Sequence, residues 1–199
     1  MRMLDAAARS GLRVTGSVIV GLVPLLAFTF ISIGHSMTRL RIGILVGSLA
    51  LIGLALARLS RGMLFWASAV FFGYALVSVA WLRYDWAIRD LGVFPGAIFF
   101  AAAMITMIMN RPFVDDYAGS GVSAQQRQTR NYLGHCFALT SFWAAVFAIL
   151  SVLALVKMSH PAMAAATYLM VQFAIIIGAL IYQVVYVTYI RRQGPDRAS

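Results

Sequence analysis

Six apolar segments, none with an Asp, Glu, Lys or Arg well inside it, alternate with polar stretches along this chain. Backbone in hydrocarbon must satisfy its N–H and C=O groups internally, so segments of this length and apolarity fold as helices that cross a bilayer. The expected spans are Val14 to Gly34, Ile42 to Ala57 extended back to Met37, Met63 to Leu82, Leu91 to Met109, Leu133 to Val156 and Ala162 to Ile190. The fold class is therefore all-α: a polytopic transmembrane helical bundle of about six membrane segments forming one domain, residues 1–199. Pro24 predicts a kink in the first segment, which reads as a full crossing, with a broken or re-entrant helix as the alternative. The last segment exceeds what a bilayer needs, and the excess can tilt or project.

Composition enters where it excludes alternatives. The chain is 62% hydrophobic and 11% charged, whereas a soluble domain has about a quarter of its residues charged. The 16 Lys and Arg against 6 Asp and Glu would suit nucleic acid if they lined one face. They fall singly or in pairs between apolar runs instead, which makes them topology signals and leaves no nucleic-acid partner. With the N-terminus inside, the inner side takes Arg2, Arg9, Arg13, Arg58, Arg61, Arg111, Arg127, Arg130, Arg191, Arg192 and Arg197. The outer side takes only Arg39, Arg41, Arg83, Arg89 and Lys157. The asymmetry orients both termini to the cytoplasm, with Arg39 and Arg41 as the exceptions. Arg2, Arg9 and Arg13 before an apolar run imitate a signal peptide, but that run reaches about Ile33, so a retained helix is expected.

The longest polar interruption is the cytoplasmic loop 110–133, and Arg111, Pro112, Phe113, Asp115, Asp116 and Tyr117 are its candidate interaction residues. Pro112 fixes its own φ and biases Arg111 away from helix, which should end the fourth span abruptly. Phe113 and Tyr117 are then expected to turn back onto the membrane interface while Asp115 and Asp116 stay hydrated. Ser123 and Gln126 fit a capping box, which would start a helix before the membrane and carry Arg127 and Arg130 at the headgroups. Candidate packing residues are more numerous. Gly43 and Gly47 form a G-x-x-x-G through which another backbone, of this chain or a second copy, can approach closely. Gly92 and Gly96 repeat that spacing around Pro95. Thr140, Trp143 and Phe147 share one face of the fifth helix, and Gln172 and Gln183, eleven residues apart, share one face of the sixth beside a stripe of Tyr182, Tyr186 and Tyr189. Buried amides need partners in lipid, so the Gln face should point inward or toward a partner chain.

Chemistry is harder to place. The single Cys136 permits neither an intrachain disulfide nor a Cys-cluster metal site. On this topology His35 and His160 lie on one side and His135 on the other, which leaves no three-ligand metal site in one chain. A haem iron between His35 and His160 is the third-ranked reading. Asp115 and Asp116 are adjacent, so they do not flank a substrate as separated catalytic carboxylates would. No nucleophile elbow, P-loop or zinc-protease motif is present. A non-enzymatic protein without a cofactor is expected. A small-solute transporter or channel is the alternative, although its polar path would have to come from Gln172, Gln183, Thr106, Thr140 and scattered Ser residues.

Several of these residues occur in a recognisable order. Gly21-Leu-Val-Pro-Leu-Leu-Ala-Phe-Thr-Phe30, the basic Arg58 to Arg61 loop, Asn110-Arg-Pro-Phe-Val-Asp-Asp-Tyr-Ala118 and Thr140-x-x-Trp143-x-x-x-Phe147 together resemble the bacterial intracellular septation protein A family and related inner-membrane proteins. The sequence departs from that pattern at Val114, where Thr is common, and in having no proline between Ala118 and Asn131. The resemblance implies a multi-pass inner-membrane protein linked to cell-envelope upkeep and septation, without catalytic activity. Its partners would be bilayer lipid and other inner-membrane proteins or a second copy.

Overall fold

The computed structural model describes residues 2–32, 36–57, 59, 62–82, 91–117, 124–160 and 164–192, to which the structural statements below refer. His35, Arg58, Arg61, Arg83, Tyr84, Trp86, Arg89, the 119–123 stretch and Arg197 lie outside them. The side chains of Arg2, Arg9, Arg13, Trp81, Gln126, Arg191 and Arg192 also lie outside the description.

The described chain is helical and contains no strand. It forms α1 (Arg2–Ile31), α2 (Met37–Leu56), α3 (Met63–Leu76) continued by a π-helical turn (Val77–Leu82), α4 (Phe94–Ile108), the single turns α5 (Val114–Tyr117) and α6 (Ala124–Arg127), α7 (Arg130–Ser159) and α8 (Ala165–Arg192). α1 runs through Pro24 as one helix, which is the unbroken form of the two readings for this segment. α2, α7 and Ala165–Ile190 are long and apolar enough to cross a membrane, while Thr15–Ile31, Met63–Val79 and Phe94–Ile108 are shorter apolar helices. Local causes shorten the last two. The α geometry of α3 gives way to the π turn after Leu76, and α4 opens with Pro95 in its first turn, where a missing N–H costs nothing.

The principal helices close a ring in which α1 packs on α2, α2 on α3, α3 on α4, α4 on α7, α7 on α8 and α8 back on α1, with α1 also touching α3 across it. Two apolar clusters fill this arrangement. One gathers Val18, Leu22, Leu64, Phe99, Trp143 and Phe147, and the other is built on Phe28, Ile44, Phe71, Phe72 and Leu91. The outward faces are apolar as well: Leu45, Leu49, Ile52 and Leu56 of α2 are 55–80% exposed. A helix that is apolar all round cannot face water on its outer side, so lipid surrounds the ring. The chain is a helical membrane protein.

Small residues set the closest approaches. A Cβ at Gly43 would meet the Ser32 side chain and the Phe28 carbonyl of α1, and one at Gly47 would strike the Phe72 ring and come within 3.0 Å of the Pro24 carbonyl. The G-x-x-x-G seam is therefore occupied within the chain. Gly96 brings α4 equally near α7, where a Cβ would lie 2.9 Å from the Phe147 carbonyl, whereas nothing lies within 4 Å at Gly92.

Candidate functional site

At one end of the ring, the chain between α4 and α7 folds back into the bundle. α4 ends in a Schellman motif: Asn110 takes a left-handed φ of 54°, its N–H donates to the Met107 carbonyl at 3.0 Å, and the Arg111 N–H donates to Thr106 at 2.9 Å. Pro112 follows and cannot continue the helix. The chain then turns inward, so Phe113 and Val114 are 1% and 3% exposed and Tyr117 is buried with them against Val18, Leu22, Met63 and Leu64. This corrects the expectation that Phe113 and Tyr117 rest on the membrane interface. The ring interior offers these side chains protein neighbours on every side, which a headgroup layer does not.

Tyr117 and Asp116 also complete another helix. The first N–H groups of any helix lack intrahelical partners, and α3 begins at Gly62, which has no side chain to supply one. The Leu64 N–H instead donates to the Tyr117 hydroxyl at 3.2 Å, and the Asp116 carboxylate accepts from the Met63 N–H. Gly62 is required for this arrangement. Its φ of 84° and ψ of −163° are open essentially to glycine alone, and a Cβ there would lie 2.9 Å from that of Asp116. Asp115 faces the other way, accepting from the Tyr132 hydroxyl at 2.6 Å with Arg127 4.0 Å away. Thus Asp115 is tied to α7, and Asp116, though exposed, is held against α3 rather than simply hydrated. Arg111 stays exposed.

The expected capping box at Ser123 lies outside the described residues, and α7 is capped by Thr129, whose hydroxyl accepts from the Tyr132 N–H at 3.4 Å. A β-type ψ of 138° at Thr129 separates α7 from the short α6, so no single helix carries both Arg127 and Arg130. The signal for this cap was a Thr three residues before Tyr132, where the apolar run opens. Nothing in the spacing announced the Tyr132–Asp115 bond.

Two outcomes can be measured here. Tyr117→Phe removes the acceptor of a buried N–H, so thermal unfolding in detergent should show a loss of about 1–3 kcal/mol. Although part of the Asp116 side chain meets solvent, its carboxyl titrates above its usual value of 3.8, chiefly because the protein packed around it strips water from the charge, against the opposing pull of the Met63 N–H. A carboxyl raised in the folded state binds its proton more tightly there than when unfolded. Its contribution to stability should therefore grow as pH falls through the raised value toward 3.8, and be least at neutral pH. Melting curves of Asp116→Asn across that interval should be flatter than those of the parent.

Further into the ring the fifth and sixth expected spans meet through the Trp143 indole N–H, which donates to Gln183 Oε1 at 2.6 Å. Trp143 is 1% exposed, and Thr140 and Gln183 are fully buried. Thr140 Oγ1 and Gln183 Nε2 find no partner among the described residues. Phe147 stacks one turn along, 5.6 Å from the Trp143 ring and 5.2 Å from Phe99. Tyr182 and Tyr186 continue outward from this contact, with Phe142 4.3 Å from Tyr182 and the His135 Nδ1 3.1 Å from the Tyr186 hydroxyl. Gln172 is not part of this contact. It lines a cavity that Trp143 and Phe147 also wall.

That cavity, about 940 Å³, opens at the end of the ring opposite the loop, between the C-terminal parts of α1 and α7 and the N-terminal parts of α2, α4 and α8. Its walls are mostly apolar, from Leu22, Leu26, Phe99, Phe147, Leu150 and Ile176. Ser36, Lys157 and Ser159 stand at its outer edge, and Ser32 and Gln172 face it deeper down. Ser32 Oγ and Gln172 Oε1 are buried atoms with no hydrogen-bond partner among the described residues. Sequence spacing indicated an inward Gln face but not a void beside it. His160 caps α7 with its Nδ1 3.1 Å from Ser159 Oγ and 3.2 Å from the Val156 carbonyl. No cluster of three or more metal-ligating side chains occurs among the described residues.

Fold and surface thus define the class: an integral membrane protein built as a ring of helices. No protein-family model matches the chain, and neither does any curated protein or solved structure.

Proposed function

We propose that this chain is a non-enzymatic multi-pass protein of the bacterial inner membrane, a scaffold or envelope factor linked to septation that acts through its 110–133 loop. In this reading all six apolar helices lie in the bilayer, the shorter ones accommodated by local thinning and snorkelling at their ends. Both termini and the loop face the cytoplasm, on the side of the Arg excess. The observation that carries the proposal is the division of labour within the loop. Phe113, Tyr117 and the Asp115–Tyr132 bond hold residues 113–117 against α3 and α7, while Arg111, Gln125, Gln128, Arg130 and Asn131 are exposed. A fixed polar surface loses little entropy when a partner docks.

Partner capture tests this most directly. A photoreactive residue at Gln128 should give a discrete crosslinked protein in living cells, and a control at the lipid-facing Leu49 should not give the same band. Alkaline phosphatase fused after Arg192 should be inactive. An active fusion would overturn the orientation, and the same adducts from both positions would remove the loop as the contact surface.

The cavity favours a second reading, passage of a small solute. Its mainly apolar walls suit a hydrated solute poorly, and neither Thr140 nor Gln183 belongs to its lining.

A further inference from the structure

We infer that the cavity between α1, α4, α7 and α8 is a binding site for one anionic lipid. Its tail lies among Leu22, Leu26, Phe147 and Ile176, its ester region meets Ser32 and Gln172, and its headgroup sits beside Lys157.

Size, polarity and charge each support this assignment. The volume of about 940 Å³ falls in the range of roughly 300–1,000 Å³ that small-molecule sites occupy. Walls of Leu, Ile and Phe offer hydrocarbon the contacts it finds among acyl chains and offer a polar solute nothing. The polar groups are graded with depth. Lys157, the single lysine of the chain, lies in the last turn of α7 at the outer edge, with Ser36 and Ser159 exposed beside it. Basic positions between membrane helices attract anionic headgroups.

Gln172 is seven residues into α8, so it lies about 10 Å below that helix's start at 1.5 Å per residue. Ser32 packs at the level of Gly43, which is six residues into α2 and so about 9 Å down. These two groups therefore share one layer beneath the headgroup. There the Ser32 hydroxyl, which rests over Gly43, can turn to donate to one ester carbonyl, and the Gln172 amide can turn to donate from Nε2 to the other. Ser32 Oγ and Gln172 Oε1 are buried atoms without a hydrogen-bond partner among the described residues, and a buried polar atom is costly until a partner arrives. Below that layer only the tail-sized apolar chamber remains.

The site does not depend on the septation reading or on which side the loop faces. Its test uses the full chain in nanodiscs, with phosphatidylglycerol carrying a photoreactive group at its tail end and the matching phosphatidylcholine as the zwitterionic probe. Leu22 and Ile176 line the cavity and are only 3% and 8% exposed, so bulk lipid does not reach them, whereas Leu49 and Ile52 of α2 face outward. The phosphatidylglycerol probe should form adducts at Leu22 or Ile176 as well as at the outward residues. Ala154→Trp, which fills the chamber from α7, should abolish the inner adducts and leave the outer ones. Lys157→Gln removes the positive charge at the partly exposed edge and leaves the chamber open. It should lower the preference for the anionic probe about fivefold, the factor equivalent to roughly 1 kcal/mol per basic residue at an anionic surface. Adducts confined to Leu49 and Ile52 in the parent protein, or inner adducts that survive Ala154→Trp, would overturn the site. Equal inner labelling by both probes in the parent would overturn its anionic character.

Discussion

Gly47→Leu will strongly destabilise the solubilised protein, whereas Gly53→Leu, six residues along the same helix, will leave it near the parent's stability. The difference lies in what each Cβ meets. At Gly47 a side chain would run into the Phe72 ring and the Pro24 carbonyl, while at Gly53 nothing lies within 4 Å. The Phe72 ring is itself wedged, 5.0 Å from Phe71 and 6.0 Å from Phe28, so it has no empty space to move into. The Pro24 carbonyl belongs to a helix that would have to shift as a unit. Overpacking a filled core costs about 1–3 kcal/mol and sometimes more, and the backbone obstacle places Gly47→Leu at the upper end. Fluorescence-detected gel filtration after a temperature ramp reads the result. A parent-like melting temperature for Gly47→Leu would show that the α1–α2 approach is looser than described. Because the seam is filled within the chain, the variant should lose folded protein rather than shift a dimer to monomer.

Trp143→Ala should cost on the order of 3 kcal/mol, the range for removing a large aromatic from a packed core. Trp143→Phe should cost about 0.6–1.7 kcal/mol, as measured for interhelical hydrogen bonds in membranes. The Ala variant removes the indole from between Gln183 and Phe147 and leaves a void beside Phe99. The Phe variant keeps most of that contact and loses only the donor to Gln183 Oε1. Denaturation in mixed micelles of SDS and a mild detergent separates the two costs. Equal losses from both variants would mean that the hydrogen bond, not the packing, holds α7 to α8. Losses near zero from both would mean that the α7–α8 contact contributes little to the ring.

Both predictions rest on side chains that the sequence analysis had already singled out, yet their partners were not legible there. The run of small residues at Gly43 and Gly47 indicated a close approach, but either another helix or a second copy would satisfy that spacing. The i, i+3, i+7 set of Thr140, Trp143 and Phe147 indicated a face of α7 without indicating what it faces. For Phe113 and Tyr117 local reasoning pointed outward, because an aromatic beside a predicted membrane boundary has a ready place among the headgroups. The ring had a better one, since α3 begins at a glycine and cannot cap itself.

The chain alone determined its solvent and its secondary structure: uncharged apolar runs leave the backbone in lipid no alternative to helix, and Pro112 stops α4 wherever that helix lies. Those are consequences of local composition and of one ring-closed residue. Only the tertiary structure decided the cyclic order of the helices, the use of Tyr117 and Asp116 as a cap for α3, the Trp143–Gln183 bond and the cavity lined by Gln172. Each of these depends on groups from separate helices meeting in space. In a lipid solvent nearly every face is apolar, so hydrophobic periodicity no longer distinguishes the side that meets protein from the side that meets acyl chains.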